Sequence, residues 1–224
     1  MTKINAENDK TPKTRRYRGQ TPEQLRAERR ERLLEAALSL FAERGYANSP
    51  IELICSTARV TTRHFYEQFD GREALLDALL SEEVSGALTI ASEALTNDSR
   101  DMTGRVSDAI RGVVVYLTED RRRARIVCLE TVGVSQAMEQ RRRRLVHQFA
   151  ELIQFQADTL TKNGLLPERN YWLPSIALVG ATLELIEEWL YGETEKEGED
   201  IAREAVLFYR AVMIGARRYE QDSD

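Results

Sequence analysis

The amino-acid sequence predicts an all-α protein, and three observations support that prediction. Charged residues make up 31% of its 224 residues and aromatic residues only 7%, a composition that favours helices with solvated faces over sheets. Apolar residues recur at spacings of three and four, as they do along the buried face of a helix. Segments with the strict alternation of a half-buried strand are absent from the sequence.

The chain divides into three predicted parts. Residues 1–20 are polar and basic, without apolar periodicity, and are expected to form a flexible N-terminal arm. Residues 21–80 hold a group of helices, two of them short, and residues 81–224 form a larger helical domain. In that domain the apolar pattern predicts helices at about 103–118, 119–132, 135–163, 171–191 and 198–218.

Capping signals define the first two helices. Thr21 and Gln24 are spaced as a capping box, with proline at the first helical position between them. Gly45 ends this helix. The same signal recurs at residues 49–52, where Ser49 is predicted to cap a short second helix.

A third short helix follows almost without a linker. The second helix breaks at Arg59, and Thr61 is predicted to cap the next helix. A fourth helix opens at residues 70–73 and continues to about Leu95. Two short helices joined by a tight turn and packed on a longer one form a helix-turn-helix module.

Charge is distributed unevenly along the chain. Residues 10–72 carry 13 Lys and Arg against 8 Asp and Glu, whereas residues 73–224 carry 18 against 27. A basic N-terminal part followed by an acidic remainder indicates that the N-terminal part binds a polyanion. The alternative is an uneven surface charge without functional consequence, and charge alone does not decide between the two.

Cysteine and apolar content indicate where the protein works. Cys55 and Cys128 lie far apart and outside any CxxC pair, which is typical of small buried side chains in a reducing compartment. The longest apolar run, residues 176–183, is too short to span a bilayer. We therefore expect a cytoplasmic protein without a membrane partner.

The segment Arg32–Leu80 carries a dense set of motif residues. They are Ala36-Ala37, Leu40-Phe41, Gly45-Tyr46, Ser49, Ile54, Ala58, Val60-Thr61, Tyr66, Phe69, Arg72 and Leu75. At this spacing the segment resembles the DNA-binding signature of the TetR-like (tetracycline-repressor) family of bacterial transcriptional regulators. Two positions depart from the family pattern, because Arg59 stands where glycine is usual and Cys55 where alanine is usual.

The resemblance implies a function and its partners. A member of this family binds a near-palindromic operator in double-stranded DNA as a homodimer, and it releases the operator when a small-molecule effector enters the C-terminal domain. The effector of this chain is unidentified. A non-specific architectural DNA binder, and a helical carrier or enzyme with a vestigial front module, are the two rival interpretations.

The DNA-contacting residues follow from the position of the reading helix. The helix that enters the major groove reads base edges with its first turns. Phosphate contacts are expected from residues that match the family pattern and from the basic arm. The predicted set is Thr61, Thr62, Arg63 and His64 on the reading helix, Ser49, Tyr66 and Arg72 beside it, and Arg15, Arg16 and Arg18 in the arm. The alternatives are solvated side chains, a plain helix cap at Ser49, a core aromatic at Tyr66 and a tail that only adds solubility.

Two further sets of residues belong to the larger domain. The resemblance implies a ligand pocket there, for which the candidates are Tyr116, Glu130, Met138, His147, Phe149 and Trp172. Wide apolar stripes on the last two helices suggest a dimeric four-helix bundle. Its predicted interface residues are Ile176, Val179, Leu183, Ile186, Leu190, Ala205, Tyr209 and Val212. The alternative is that both stripes close the protomer's own core.

Motifs for catalysis and metal binding are not recognisable in the sequence. The chain has two histidines, His64 and His147, and neither has a metal-ligand neighbour at helical spacing. Glycine-rich phosphate loops and nucleophile motifs are also absent. The sequence therefore predicts a protein that is not an enzyme and that carries neither a cofactor nor a metal.

Overall fold

The computed structural model describes residues 21–97, 99–192 and 196–218, and every regular element within these ranges is helical. The predicted all-α class is confirmed. The expected arm contacts Arg15, Arg16 and Arg18 lie outside the described residues. The elements are α1 (Pro22–Arg44), α2 (Ile51–Ala58), α3 (Thr62–Tyr66), α4 (Arg72–Leu95), α5 (Met102–Glu119), α6 (Arg121–Arg125), a π-helical segment (Ile126–Glu130), α7 (Gln136–Lys162), α8 (Trp172–Tyr191) and α9 (Gly198–Arg218).

The predicted limits of α1 are confirmed. The Thr21 hydroxyl accepts a hydrogen bond from the Gln24 N–H at 3.2 Å, and the Gln24 carboxamide oxygen accepts one from the Thr21 N–H at 2.8 Å. These two bonds satisfy backbone donors that the first turn leaves without helical partners. Gly45 ends the helix at a φ of 82°, a value that glycine adopts without steric cost.

The second predicted capping box is wrong. α2 begins after Pro50, and no side chain caps it. The Ser49 hydroxyl is instead fully buried and donates to the carbonyl oxygens of Leu40 (3.2 Å) and Gly45 (2.9 Å). Ser49 therefore fastens the end of α1 to the start of α2 and leaves the α2 N-terminus uncapped.

The larger domain differs from the prediction at one place. The single helix expected at 119–132 is divided into α6 and the π-helical segment. Asp120 is extended (φ −120°, ψ 104°), and its carboxylate accepts from the Arg122 N–H at 3.0 Å, so a new helix starts there. The other predicted helices of this domain agree with α5, α7, α8 and α9 to within about a residue.

Two apolar clusters organise the molecule. The first joins α1–α4 to Ile126, Met138 and Leu145 of the larger domain. The second lies among α5, α6, α8 and α9 around Val114 and Ile186, both of which are fully buried. Because α4 is one continuous helix across residue 80, the smaller and larger domains share it. None of the described helices is long and apolar enough to cross a membrane.

Candidate nucleic-acid interface and internal cavity

Helix α3 has one buried face and one exposed face. Phe65 is fully buried, and its ring centroid lies 5.7 Å from that of Phe69, which is also buried. On the other side, the side chains of Thr61, Thr62, Arg63 and Tyr66 are exposed. The Thr61 hydroxyl accepts from the His64 N–H at 3.4 Å and caps the helix, as predicted. α3 is thus a short helix with aromatic anchors that presents polar groups to solvent.

Glu67 pairs with two of the predicted reading residues. Its carboxylate lies 2.8 Å from Nδ1 of His64 and 3.4 Å from Nε of Arg63. The hydrogen bond with His64 lowers the pKa of Glu67, and the charges of His64 and Arg63 lower it further. The Arg63 side chain is 87% exposed, so the solvated ion pair holds it only weakly. Arg63 is therefore free to exchange Glu67 for another acceptor.

α1 supports this end of α3 from behind. Arg26 donates to the backbone oxygen of Glu67 at 2.6 Å, and the Gln68 side chain donates to the backbone oxygen of Arg26 at 3.0 Å. These reciprocal bonds fix the C-terminus of α3 to α1. The sequence analysis missed both residues, because partners more than forty positions apart leave no local signal.

The residues predicted beside α3 have structural contacts of their own. Arg72 donates to the carbonyl oxygens of Ala47 (3.2 Å) and Ser49 (3.3 Å), and its guanidinium lies 4.2 Å from the centroid of the Tyr46 ring. It thereby braces the loop between α1 and α2. The expected phosphate contact of the Ser49 hydroxyl is not supported, because that group is buried and already donated to carbonyl oxygens. Contacts of Arg72 and Tyr66 with DNA stay predictions.

The turn before α3 contains a strained arginine. Arg59 has φ 53° and ψ 44°, and it is the residue other than glycine with a positive φ in the described part of the chain. In this left-handed conformation the Cβ of any L-residue crowds the following carbonyl. The sequence indicates such a turn because the family usually has glycine here.

Replacing Arg59 by glycine is expected to stabilise the protein by ~0.5–1 kcal/mol. Relief of the steric strain exceeds the entropy that glycine gains in the unfolded chain. The free energy of unfolding in urea measures the change. Arg32→Gly, at an exposed position inside α1, is the control and should destabilise the helix by roughly 0.5–1 kcal/mol. A lower stability for Arg59→Gly would contradict the argument from backbone strain.

An apolar cavity of about 110 Å³ lies inside the larger domain. Helices α4, α5, α7 and α8 form its walls, together with Val127 of the π-helical segment. Its wall is almost entirely aliphatic; the exceptions are Phe149, Glu83, Gln156 and Thr182. The Thr182 hydroxyl is satisfied by the Leu178 carbonyl at 2.9 Å. Such a lining suits an apolar molecule.

Glu83 is the charged residue of this wall. The Tyr116 hydroxyl donates to its carboxylate at 2.9 Å, and Nε of Arg123 lies 3.6 Å from it. Burial raises the pKa of Glu83 and is also the main reason why the pKa of Tyr116 rises to about 12. A Cβ at Gly86 would lie 2.3 Å from the Tyr116 hydroxyl, so glycine is required where this ring crosses α4.

Most of the predicted ligand residues lie elsewhere. Phe149 lines the cavity. Tyr116 is outside the lining, and its hydroxyl donates a hydrogen bond to Glu83, which lines the cavity. Met138 is buried in the cluster shared with α1–α4, and His147 packs against the Trp172 ring at 5.2 Å, apart from the cavity lining. The sequence analysis selected polar and aromatic residues, whereas this cavity is formed mainly by aliphatic side chains. Ligand contacts of Met138, His147 and Trp172 stay predictions that the cavity lining does not support.

Glu130, the remaining candidate, connects the two domains. One carboxylate oxygen accepts from the Tyr46 N–H at 2.7 Å, and the other accepts from Arg125 at 2.9 Å. The Glu130 side chain is 8% exposed. Since Val127, three residues earlier, lines the cavity, the π-helical segment touches the cavity on one side and holds the end of α1 on the other. Glu130 therefore links the two domains, and a contact of Glu130 with a ligand stays a prediction.

The predicted dimer stripes are largely the protomer's own core. Four of their residues are at most 4% exposed within the protomer, and two more line the cavity. The buried four are Ile186, Leu190, Ala205 and Tyr209, and the cavity residues are Val179 and Leu183. Ile176 is half-buried, and Val212, 39% exposed, lies at the edge. The alternative interpretation, in which both stripes close the protomer's core, holds for most of the set.

A different apolar surface is exposed on the same two helices. α8 presents Leu173 (73% exposed), with Ala177 and Gly180 one and two turns later. α9 presents Leu207, Phe208, Ala211, Ile214 and Gly215. We call this set the α8–α9 outer face. It occupies the side of each helix opposite the residues that pack on the core.

Comparisons with known proteins identify the fold and the module. Residues 33–79 match the family model described as bacterial regulatory proteins of the tetR family. The transcriptional regulator UidR of Escherichia coli is 24% identical over 180 residues, which are 79% of this chain and 85% of UidR. A TetR-family regulator from Syntrophomonas wolfei superposes with a TM-score of 0.75 at 20% identity, covering 84% of this chain and 96% of its own.

A further structure superposes over most of its length. It is the regulator FadR from Bacillus subtilis in complex with stearoyl-CoA, with a TM-score of 0.71 at 16% identity, covering 79% of this chain and 95% of FadR. The helix-turn-helix of α2 and α3, mounted on a helical domain with a cavity, defines a DNA-binding transcriptional regulator. Its helix-turn-helix module, within residues 33–79, matches that of the tetR family of bacterial regulatory proteins.

Proposed function

We propose that this protein is a homodimeric repressor that binds operator DNA through α3 and leaves it when an apolar ligand occupies the cavity. The observation that carries the proposal is the exposed polar face of α3, whose opposite face is fixed by the buried Phe65 and Phe69. A rigidly anchored short helix with exposed donors is the geometry that reads base edges in a major groove.

Selection of bound DNA tests this proposal. The purified protein is incubated with sheared genomic DNA of its host, and the retained fragments are sequenced and footprinted. The expected result is protection of a near-palindromic site whose half-sites lie one helical turn, about 34–36 Å, or a multiple of it apart. Protection without sequence preference would instead identify an architectural binder, and an absence of retained DNA would contradict the proposal.

Arg63 is expected to supply base specificity. Its exposed guanidinium can donate two hydrogen bonds to a guanine, so Arg63→Ala should weaken binding to the selected operator by ~1–3 kcal/mol and relax preference at one base position. Binding to a randomised duplex library measures both effects. Arg203→Ala is the matched control, because Arg203 is an exposed arginine paired with Asp200 on α9. Unchanged selectivity for Arg63→Ala would exclude the base contact.

We propose that a ligand in the cavity changes the spacing of the two reading helices through α4. α4 lines it with Val84, Ala87 and Ala91, and the first turns of the same helix carry Leu75 and Leu76 into the core of the helix-turn-helix module. A ligand larger than this cavity must displace some of the helices that line it, since packed interiors have little free volume, and α4 and the π-helical segment are among them. The FadR structure, which has this fold, contains stearoyl-CoA, and this supports an apolar ligand here.

The α8–α9 outer face is proposed to bind a second copy of this chain. Gly180 and Gly215 lie on this face, and a Cβ added to either would meet no described atom within 4 Å apart from those of its chain neighbours and its own helix backbone. Glycine inside a helix costs roughly 0.5–1 kcal/mol, and no contact among the described residues explains it at these positions. Close approach of a partner helix explains both glycines and covers the exposed leucines and Phe208.

A further inference from the structure

A second cavity lies in the larger domain, beside the C-terminal part of α9. It has a volume of about 250 Å³ and is lined by the C-terminal part of α7, the start of α8 and the last turns of α9. Ile153 and Leu178 line both this cavity and the apolar one, so their side chains lie between the two spaces. We call this second space the distal cavity.

Two buried hydroxyl groups in the distal cavity lack hydrogen-bond partners. Ser175 is 1% exposed and Tyr209 is 4% exposed. Among the described residues, four buried side-chain polar atoms have no partner, and two of these are the Ser175 and Tyr209 hydroxyl oxygens. Burying a hydroxyl without a hydrogen bond is unfavourable, so two such groups in one cavity require an explanation.

The charges around the cavity indicate which group would satisfy these hydroxyls. Arg169 is the charged residue of the described lining, and it is exposed at the rim with its guanidinium 5.3 Å from the Tyr171 ring centroid. Burial raises the pKa of Tyr209 to about 12, so its hydroxyl stays protonated and can donate. The positive charges of Arg217 and Arg210 lower the pKa of Tyr209, and the negative charge of Asp101 raises it. Two hydroxyl donors with more positive than negative charges around them favour a negatively charged acceptor such as a carboxylate.

We infer that the distal cavity is a subsite for the carboxylate end of an amphipathic effector, which accepts hydrogen bonds from Ser175 and Tyr209. Its apolar chain would pass between Ile153 and Leu178 into the apolar cavity. The inference rests on the proposed ligand-responsive function and names the chemical class of the ligand. It also accounts for two buried hydroxyls that have no hydrogen-bond partner among the described residues.

Dodecanoate binding tests the subsite without DNA. Calorimetric titration of the full chain should show binding of dodecanoate and weaker binding of methyl dodecanoate, which has the same chain and no charge. Ser175→Ala and Tyr209→Phe should each lower dodecanoate affinity by about tenfold, the loss of one hydrogen bond to a charged group. Neither variant should lower the Tm, because the hydroxyl that it removes has no partner to lose.

Ser49→Ala is the matched control. Ser49 is a buried serine outside both cavities, and its hydroxyl donates to the carbonyl oxygens of Leu40 at 3.2 Å and Gly45 at 2.9 Å. This variant should lower the Tm and retain dodecanoate affinity. Stability and affinity thus change in opposite ways in the control and in the two subsite variants.

Three outcomes would overturn the subsite. The first is equal affinity for dodecanoate and its methyl ester, and the second is undiminished dodecanoate binding by both Ser175→Ala and Tyr209→Phe. The third is a Tm loss in those two variants as large as that in Ser49→Ala. Operator release is measured separately on the selected DNA. Dodecanoate that binds as expected but leaves the operator complex intact would uphold the subsite and contradict the ligand-release part of the proposed function.

Discussion

Replacing Phe208 by aspartate is expected to convert the homodimer into monomers and to lower operator affinity by ~100-fold or more. Phe208 is 44% exposed in the protomer, so the fold tolerates a charge there, but in a dimer that charge would be buried without a partner. Once one α3 helix of a dimer is bound, the second binds at a high effective concentration, and a monomer loses that advantage. Sedimentation velocity and a gel-shift titration measure the two effects.

Phe155→Asp is the control for this prediction. Phe155 is 66% exposed on α7, outside the α8–α9 outer face, and the same substitution there should leave both dimer and affinity intact. Leu183→Asp is unsuitable, because Leu183 lines the cavity and its replacement would disturb the protomer itself. A Phe208→Asp protein that sediments as a dimer would place the interface on another surface.

The sequence analysis placed the dimer interface on the last two helices, but most of the residues that it selected are buried within the protomer. Periodicity reports which residues are buried, and it does not report whether the same chain or a second copy covers them. Ile186 and Tyr209 belong to the most regular stripes, and they are buried within the protomer. The outer face is less regular because it mixes Leu207 and Phe208 with alanine and glycine, so it has no strong apolar signal.

Local rules predicted the helix-turn-helix well, and tertiary contacts explain the failures. The Thr21 and Thr61 caps and the left-handed Arg59 depend on neighbours within a few residues, and all three have the predicted form. Ser49 carries an equally good capping signal. Its hydroxyl is satisfied instead by carbonyls of α1 and the following turn, which no local pattern reveals.

The cavities were beyond sequence reasoning for a related reason. A cavity is the space that several helices leave between them, and its walls come from residues up to about a hundred positions apart, such as Glu83 and Ile186. The π-helical segment also has no sequence signal, because its extra residue per turn is set by what packs on either side. Val127 faces the cavity there, and Glu130 holds Tyr46.

Replacing Glu130 by alanine is expected to destabilise the protein by ~2–4 kcal/mol and to remove its response to ligand. The change leaves the Tyr46 N–H without its acceptor and Arg125, whose side chain is 31% exposed, without its carboxylate. It also cuts the contact between the π-helical segment and the end of α1. The Glu130→Ala protein should still bind dodecanoate, but added dodecanoate should no longer release it from the operator. Urea unfolding, gel shifts and calorimetry measure the three quantities.

Glu139→Ala provides the matched control for this link. Glu139 also accepts from a backbone N–H, that of Gly133 at 2.9 Å, and also pairs with an arginine, Arg142. Its side chain is 45% exposed and its partners lie within the larger domain, so the change should lower stability far less than Glu130→Ala does and leave the ligand response intact. Similar losses of stability in the two variants, or normal release of DNA by Glu130→Ala, would contradict a role for Glu130 in coupling. The two carboxylates make the same kinds of bonds, and only that of Glu130 joins the cavity wall to the helix-turn-helix module.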